Sequence, residues 1–218
     1  MYLTRFGINT QRRGARHLLA SQQRMHAAVL AGFPAAEDPA RVLWRVDAGP
    51  HRTDLFVVSA ARPDLTHLVE QAGWPTTATW DTADYQPFLE RLAAGQRWAF
   101  RLTANPVRSV SRGTGVRGQV KAHVTAAQQQ DWLLRRAEGL GFRVPDGEAG
   151  SPQLVVKDRR TARFERPRAD AGRDVTVVMA TYDGLLEVTD PEALRRGLCE
   201  GIGRAKAYGC GLLTLAHP

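Results

Sequence analysis

The stretch 201-GIGRAKAYGCG-211 places four glycines at fixed spacing around a basic centre, and six histidines are scattered through the chain. These are the residues whose types could do chemistry. A glycine loop lets backbone N–H groups approach a phosphate closely, because no Cβ holds the ligand off. No GxxxxGK[ST] motif accompanies this loop and no Gly-rich turn follows the first strand, so a nucleotide cradle is not indicated. His17, His26, His51, His67, His123 and His217 form no HExxH and no Cys/His cluster with metal spacing. No pair of acids sits beside them as in a two-metal nuclease. If this chain cleaves nucleic acid, the chemistry left to it is metal-free cleavage of RNA. In that reaction the adjacent 2′-hydroxyl attacks the phosphate, giving a 2′,3′-cyclic phosphate and a 5′-hydroxyl. It needs a base for the 2′ proton, an acid for the leaving oxygen and cations for the phosphorane. Histidine titrates near working pH and suits such proton work, and DNA lacks the nucleophile.

The charge balance points the same way. Thirty Lys and Arg against 22 Asp and Glu give a net charge of +8 over 218 residues. Arginine supplies nearly all of it, with a planar donor fork suited to phosphates and bases. Residues 1–36 and 91–130 contain no acid, and 157-KDRRTARFERPRADAGR-173 carries seven basic residues against three acidic. Three such runs predict a continuous positive surface. Cys199 and Cys210 show no paired spacing, which predicts a reducing compartment and two apolar fillers. The opening MYLTRFGINT has no apolar run of the kind a signal peptide carries, so a cytoplasmic protein without a membrane partner is expected.

The elements that must position these residues repeat an order. The first half reads as a strand at YLTRFGI, a helix over about 22–31 capped by Ser21, and a hairpin of strands at 41–46 and 54–60. A helix near 64–71 and a weak strand near 76–81 follow. The second half reads as a strand at 97–107 and a helix near 125–138 capped by Thr125. Strands at 152–158 and 174–188, a helix at 191–200 and a strand at 211–216 complete it. Each half has the order βαββαβ, so the expected fold class is α+β with tandem ferredoxin-like domains. The expected domains are 1–94 and 95–218. The acid-free 108–121 reads as a flexible basic loop. The five tryptophans read mostly as core.

The glycine pattern GhGxxxxxGhG, with h apolar, resembles the glycine-rich loop of the RAMP superfamily of CRISPR-associated RNA-binding proteins. Further stretches resemble one branch, the CasE-type endoribonucleases of type I-E systems: 22-QQRMHAAVLAGFP-34, 41-RVLWRVD-47, 97-RWAFRLTANPV-107, 121-KAHVTAAQQQDWLLRRAEGLGF-142 and 207-AYGCGLLTLA-216. They span almost the whole chain. The resemblance implies tandem ferredoxin-like domains, cleavage of the CRISPR repeat stem-loop without a metal or cofactor, and retention on the guide crRNA with the other Cascade subunits.

It also implies roles for residues. His26 matches the family's catalytic histidine. Gln23 stands where the family often has a tyrosine, one helical turn before it. A Gln cannot act as a general acid, but it can orient the phosphate or the 2′-hydroxyl. The expected RNA-binding residues are Arg24, the hairpin arginines Arg159, Arg160, Arg163 and Arg166, and the loop residues Gly201, Gly203, Arg204, Lys206, Gly209 and Gly211. The helix carrying His26 is expected to cross the domain seam, supported by the loop. His17 is the runner-up histidine. The competing reading is a non-catalytic subunit that holds the crRNA stem-loop, favoured by the missing tyrosine.

Overall fold

The structure is a computed structural model. It describes residues 1–33, 42–74, 76–111, 113, 118–148, 150–165 and 174–218, without the side chains of 164, 165, 174 and 175. The first unit runs β1 (Tyr2–Ile8), α1 (Arg13–Leu19), α2 (Gln22–Leu30), β2 (Leu43–Ala48), β3 (Thr53–Ser59), α3 (Thr66–Ala72) and β4 (Trp80–Asp84). Its antiparallel sheet has the order β2-β3-β1-β4. After α4 (Gln86–Glu90) come β5 (Arg97–Ala104), the hairpin β6 (Val107–Val110) and β7 (Gln119–Ala122), and α5 (Ala126–Ala137). Then follow β8 (Phe142–Arg143), β9 (Leu154–Glu165), β10 (Asp174–Val188), α6 (Pro191–Glu200) and β11 (Leu213–Ala216). The second sheet has the order β11-β5-β10, with β9 and then β8 pairing along the other edge of β10. In both sheets the first and third strands of a βαββαβ unit are central. The fold is therefore tandem ferredoxin-like.

Local chemistry explains several boundaries. Thr125 and Gln128 form a reciprocal capping box at the start of α5. Asp190 accepts the Glu192 and Ala193 amides ahead of Pro191, and Gly201 at φ +77 ends α6. Ser21, in extended conformation, accepts the Arg24 amide and starts α2.

Ser21 also divides what the sequence suggested as one helix from a preceding one. α1 has no side-chain N-cap. It is held instead by tertiary contacts. Arg12 donates to the carbonyls of Val69, Glu70 and Gly73 at the end of α3, and a Cβ on Gly14 would collide with the Gln71 carbonyl. The weak strand expected near 76–81 lies at Trp80–Asp84, where it pairs with β1. The expected flexible loop 108–121 begins and ends in the β6–β7 ladder, where Arg108 pairs with Lys121; residues 112 and 114–117 lie outside the described residues. Trp74 departs from the core expectation at 46% exposure, whereas Trp44 and Trp132 are buried.

One apolar cluster joins the two units. Leu43 and Val58 of the first sheet, with Leu89 and Leu92 around α4, pack with Phe100 and Leu102 of β5 and with Ile202 and Leu212 of the loop between α6 and β11. Arg45 of β2, 2% exposed, crosses the same seam. Its Nη1 donates to the carbonyls of Arg101 and Leu212, both at 2.9 Å. Its Nη2 donates to Thr214 Oγ1 and Asp47 Oδ2 at 2.8 Å, and its Nε to Asp47 Oδ1 at 2.6 Å. All five guanidinium N–H groups thus have acceptors, as a buried charge requires.

Candidate functional site

His26 sits on α2, half-buried, on a helix whose Met25 and Val29 enter the core of the first unit. Its Nδ1 accepts a hydrogen bond from the Trp44 indole Nε1 at 3.3 Å. Burial pushes the imidazole below its ordinary value. Desolvation penalises the charged ring, so the neutral form of His26 is favoured more than in a free imidazole. Gln23 lies one turn earlier on the same helix and is also half-buried.

The glycine loop meets this helix from the second unit. Its centre forms a 3-10 turn, Lys206–Tyr208, that packs against α2 and β2. Gly209, at φ +79, lies against the Trp44 ring, where an added Cβ would stand 2.8 Å from it. A Cβ on Gly201 would stand 2.6 Å from the Leu43 side chain. These glycines let the loop close onto β2, behind His26. α2 does meet the second unit, and the loop does support it.

The loop's expected RNA contacts divide on this geometry. The amides of Ile202, Tyr208, Gly209 and Gly211 donate to carbonyls within the loop or on β5. Gly209 and Gly211 are buried, while Gly203 and Arg204 are exposed. Residues 203–206 are thus the part of the loop suited to meet an anion. Lys206 Nζ donates to the Glu200 carbonyl at 2.7 Å, fastening the loop to the end of α6. Ala205, at φ +60, is the one non-glycine residue with left-handed φ among the described residues.

The hairpin arginines do not form one row. Register pairs Arg160 with Met179 and Ala162 with Val177, and those partners pack with Cys210 beneath the glycine loop. Arg160 therefore faces the loop. It lines a cleft of about 510 Å³ between the units, with Thr10, Leu19, Asp47, Arg101 and Lys157. Strand alternation sends Arg159 and Arg163 to the other face, where Arg159 donates to the Val124 carbonyl. Arg166 lies outside the described residues.

The continuous positive surface expected from the acid-free runs is also thinned. Arg5 pairs with Asp54, Arg12 caps α3, Arg16 donates to the Thr10 and Gln11 carbonyls, Arg97 pairs with Glu187, and Arg101 pairs with Asp183. Arg24 is exposed on α2, with its guanidinium 3.3 Å from the His17 ring. His17 itself is exposed on α1.

Sequence reasoning placed Trp44 in the core and missed its contact with His26. The signal available was general: a buried indole N–H has to find an acceptor.

Two ferredoxin-like units whose glycine loop closes on a histidine-bearing helix define the class of this protein. The model of the family described as CRISPR associated protein matches residues 1–217, and the chain belongs to that family, on its CasE-type branch. The chain is 34% identical over 99% of its length, and 100% of the relative's, to a Thermus thermophilus protein named CRISPR-associated endoribonuclease Cse3. It is 32% identical over 80% of its length, and 88% of the relative's, to the Escherichia coli K-12 protein named CRISPR system Cascade subunit CasE. A solved structure of CRISPR endoribonuclease Cse3 bound to a 19-nucleotide RNA superimposes with a TM-score of 0.82 at 30% identity, covering 99% of this chain and 100% of that one.

Proposed function

We propose that this protein is a metal-independent endoribonuclease that cuts the CRISPR repeat stem-loop in precursor crRNA and stays with the mature guide in Cascade. The observation that carries this reading is His26, half-buried on α2 with its Nδ1 on the Trp44 indole, where the second unit's glycine loop closes on that helix. The relatives named endoribonuclease and Cascade subunit support it. The 2′-hydroxyl attacks the adjacent phosphorus, the O2′–P bond forms, the P–O5′ bond breaks, and a proton moves from O2′ to solvent or base while O5′ gains one. His26 acts at the scissile phosphate. Gln23 orients the phosphate or the 2′-hydroxyl. Arg24, Gly203, Arg204, Lys206 and Arg160 form the surface that receives the RNA, with Gly201, Gly209 and Gly211 seating the loop beneath it and Arg159, Arg163 and Arg166 offering a second contact on the hairpin. The domain division at 94/95 and a cytoplasmic location, where transcripts are found, belong to the same reading. Among the described residues no helix is long and apolar enough to cross a membrane.

Incubation with candidate repeat stem-loops tests the reading. Cleavage into two defined fragments is expected, whereas tight binding of an uncut RNA would select the non-catalytic subunit instead. Gln23→Tyr should raise the single-turnover rate, because it supplies a phenol one turn from His26; an unchanged or lower rate would show that Gln23 already serves the site. Changing Arg159, Arg160 and Arg163 together to alanine should weaken binding and lower the slope of log affinity against log salt by about 2–3. An unchanged slope would remove the hairpin from the interface.

A further inference from the structure

Tryptophan's indole nitrogen can only donate, so the nitrogen of His26 that it meets must hold a lone pair. In the neutral ring the hydrogen then resides on Nε2, at the opposite edge from Trp44. Trp44 is 2% exposed, so the Nδ1 edge of the half-buried ring meets the interior of the fold and Nε2 lies opposite it. We propose that Trp44 is a positioning residue that fixes His26 as the Nε2–H tautomer, making the histidine a neutral hydrogen-bond donor toward the oxygens of the scissile phosphate rather than the base for the 2′-hydroxyl. This rests on the reading of His26 as the catalytic residue. Such a donor stabilises charge that develops on the phosphorane oxygens or the leaving O5′, the position left unserved by Gln23. Gly209 belongs to the same device. Its missing Cβ gives the indole its place, and with a side chain there the ring would have to move off the histidine.

Among the described residues, the Trp44 indole is the hydrogen-bond partner of the ring. On α2 itself, Arg24 reaches the His17 carbonyl and ring on α1. Also on α1, Arg16 is tied to the Thr10 and Gln11 carbonyls, and Arg13 is exposed. From the loop, Lys206 reaches the Glu200 carbonyl, Arg204 is exposed and Tyr208 packs beside Cys210. On β2, Arg45 and Asp47 bind each other in the seam, and His67 on α3 meets the Ala28 carbonyl. The downward shift of His26 is attributed to burial, with no charged neighbour contributing.

The test is nitrogen-detected NMR of the histidine rings in the full chain, with Trp44→Phe as the variant. Phenylalanine keeps an aromatic ring beside Gly209 and removes the N–H. In the unsubstituted protein His26 should titrate below 6.5 and show hydrogen on Nε2 when neutral. In Trp44→Phe the tautomers should mix, the pKa should rise by the part the indole hydrogen bond contributes while burial is kept, and cleavage should slow by about 10- to 100-fold. Hydrogen on Nδ1 in the unsubstituted protein would overturn the proposal whether or not the variant folds. So would a Trp44→Phe protein with unchanged tautomer, pKa and rate. If His26→Ala still cleaves, the catalytic reading fails even where the tautomer is as expected; if His26→Ala is inactive and Trp44→Phe is unaltered, only the role of Trp44 fails.

Discussion

Replacing His26 by alanine is expected to slow cleavage of a repeat stem-loop by about 10²–10⁴-fold while leaving RNA affinity within a few-fold. The two effects separate because they have different sources. Affinity for RNA comes from cations on phosphates, which the proposed reading assigns to the loop, the hairpin and Arg24. The rate depends on a group placed within hydrogen-bond reach of the reacting oxygens. Alanine favours helix, and Met25 and Val29, which anchor α2, are untouched. Single-turnover cleavage beside equilibrium binding reads both numbers. His17→Ala should leave the rate near that of the unsubstituted protein, since the ring is exposed and meets Arg24. A His26→Ala protein that cuts at full rate would move catalysis elsewhere, with His17 the next residue to test.

Replacing Arg45 by methionine should destabilise the protein by about 3–5 kcal/mol. Methionine fills much of the arginine volume, so packing loss is the smaller part. The larger part is what the guanidinium leaves behind. The Asp47 carboxylate loses a bidentate partner at 2.6 and 2.8 Å, and the carbonyls of Arg101 and Leu212 lose a donor in a buried seam. Arg101 Nη1, 3.6 Å from Asp47, replaces little of this. For a chain of this size the melting temperature should fall on the order of 10 °C. Pairing the change with Asp47→Leu should recover part of the loss, because removing both charges is far less costly than stranding one. A melting temperature within a degree or two of the parent in Arg45→Met would show that the seam is held by the apolar cluster alone.

The elements that were legible in the sequence are those whose signals are local. α6 runs from Pro191 to Glu200 because Asp190, Pro191 and Gly201 each act within a residue or two of the helix end. α5 starts where Thr125 and Gln128 cap it. The repeated βαββαβ order survives because the central strands β1, β3, β5 and β10 are apolar or alternating runs bounded by turns. α1 was missed because nothing local starts it; Arg12 and Gly14 dock it on α3, more than fifty residues away. The site divides along the same line. The glycine spacing and the histidine could be read from residues near each other in sequence. The contacts of Trp44 with His26, of Gly209 with Trp44, and of Arg45 with Leu212 join distant parts of the chain. Basic runs misled in one respect. A count of arginines cannot separate Arg160, facing the cleft, from Arg159 on the opposite face, nor from Arg5, paired with Asp54, and Arg12, tied to the end of α3.

The central claim is that RNA supplies its own nucleophile at a site that needs no metal. It is tested most directly by cleaving one repeat stem-loop in excess EDTA, as all-ribose RNA and with a single 2′-deoxy sugar at the cut site. The account predicts that the all-ribose RNA is cut at an unchanged rate, leaving a 2′,3′-cyclic phosphate and a 5′-hydroxyl, and that the 2′-deoxy RNA stays intact. Loss of cleavage in EDTA, or cutting of the 2′-deoxy RNA at the same position, would contradict it.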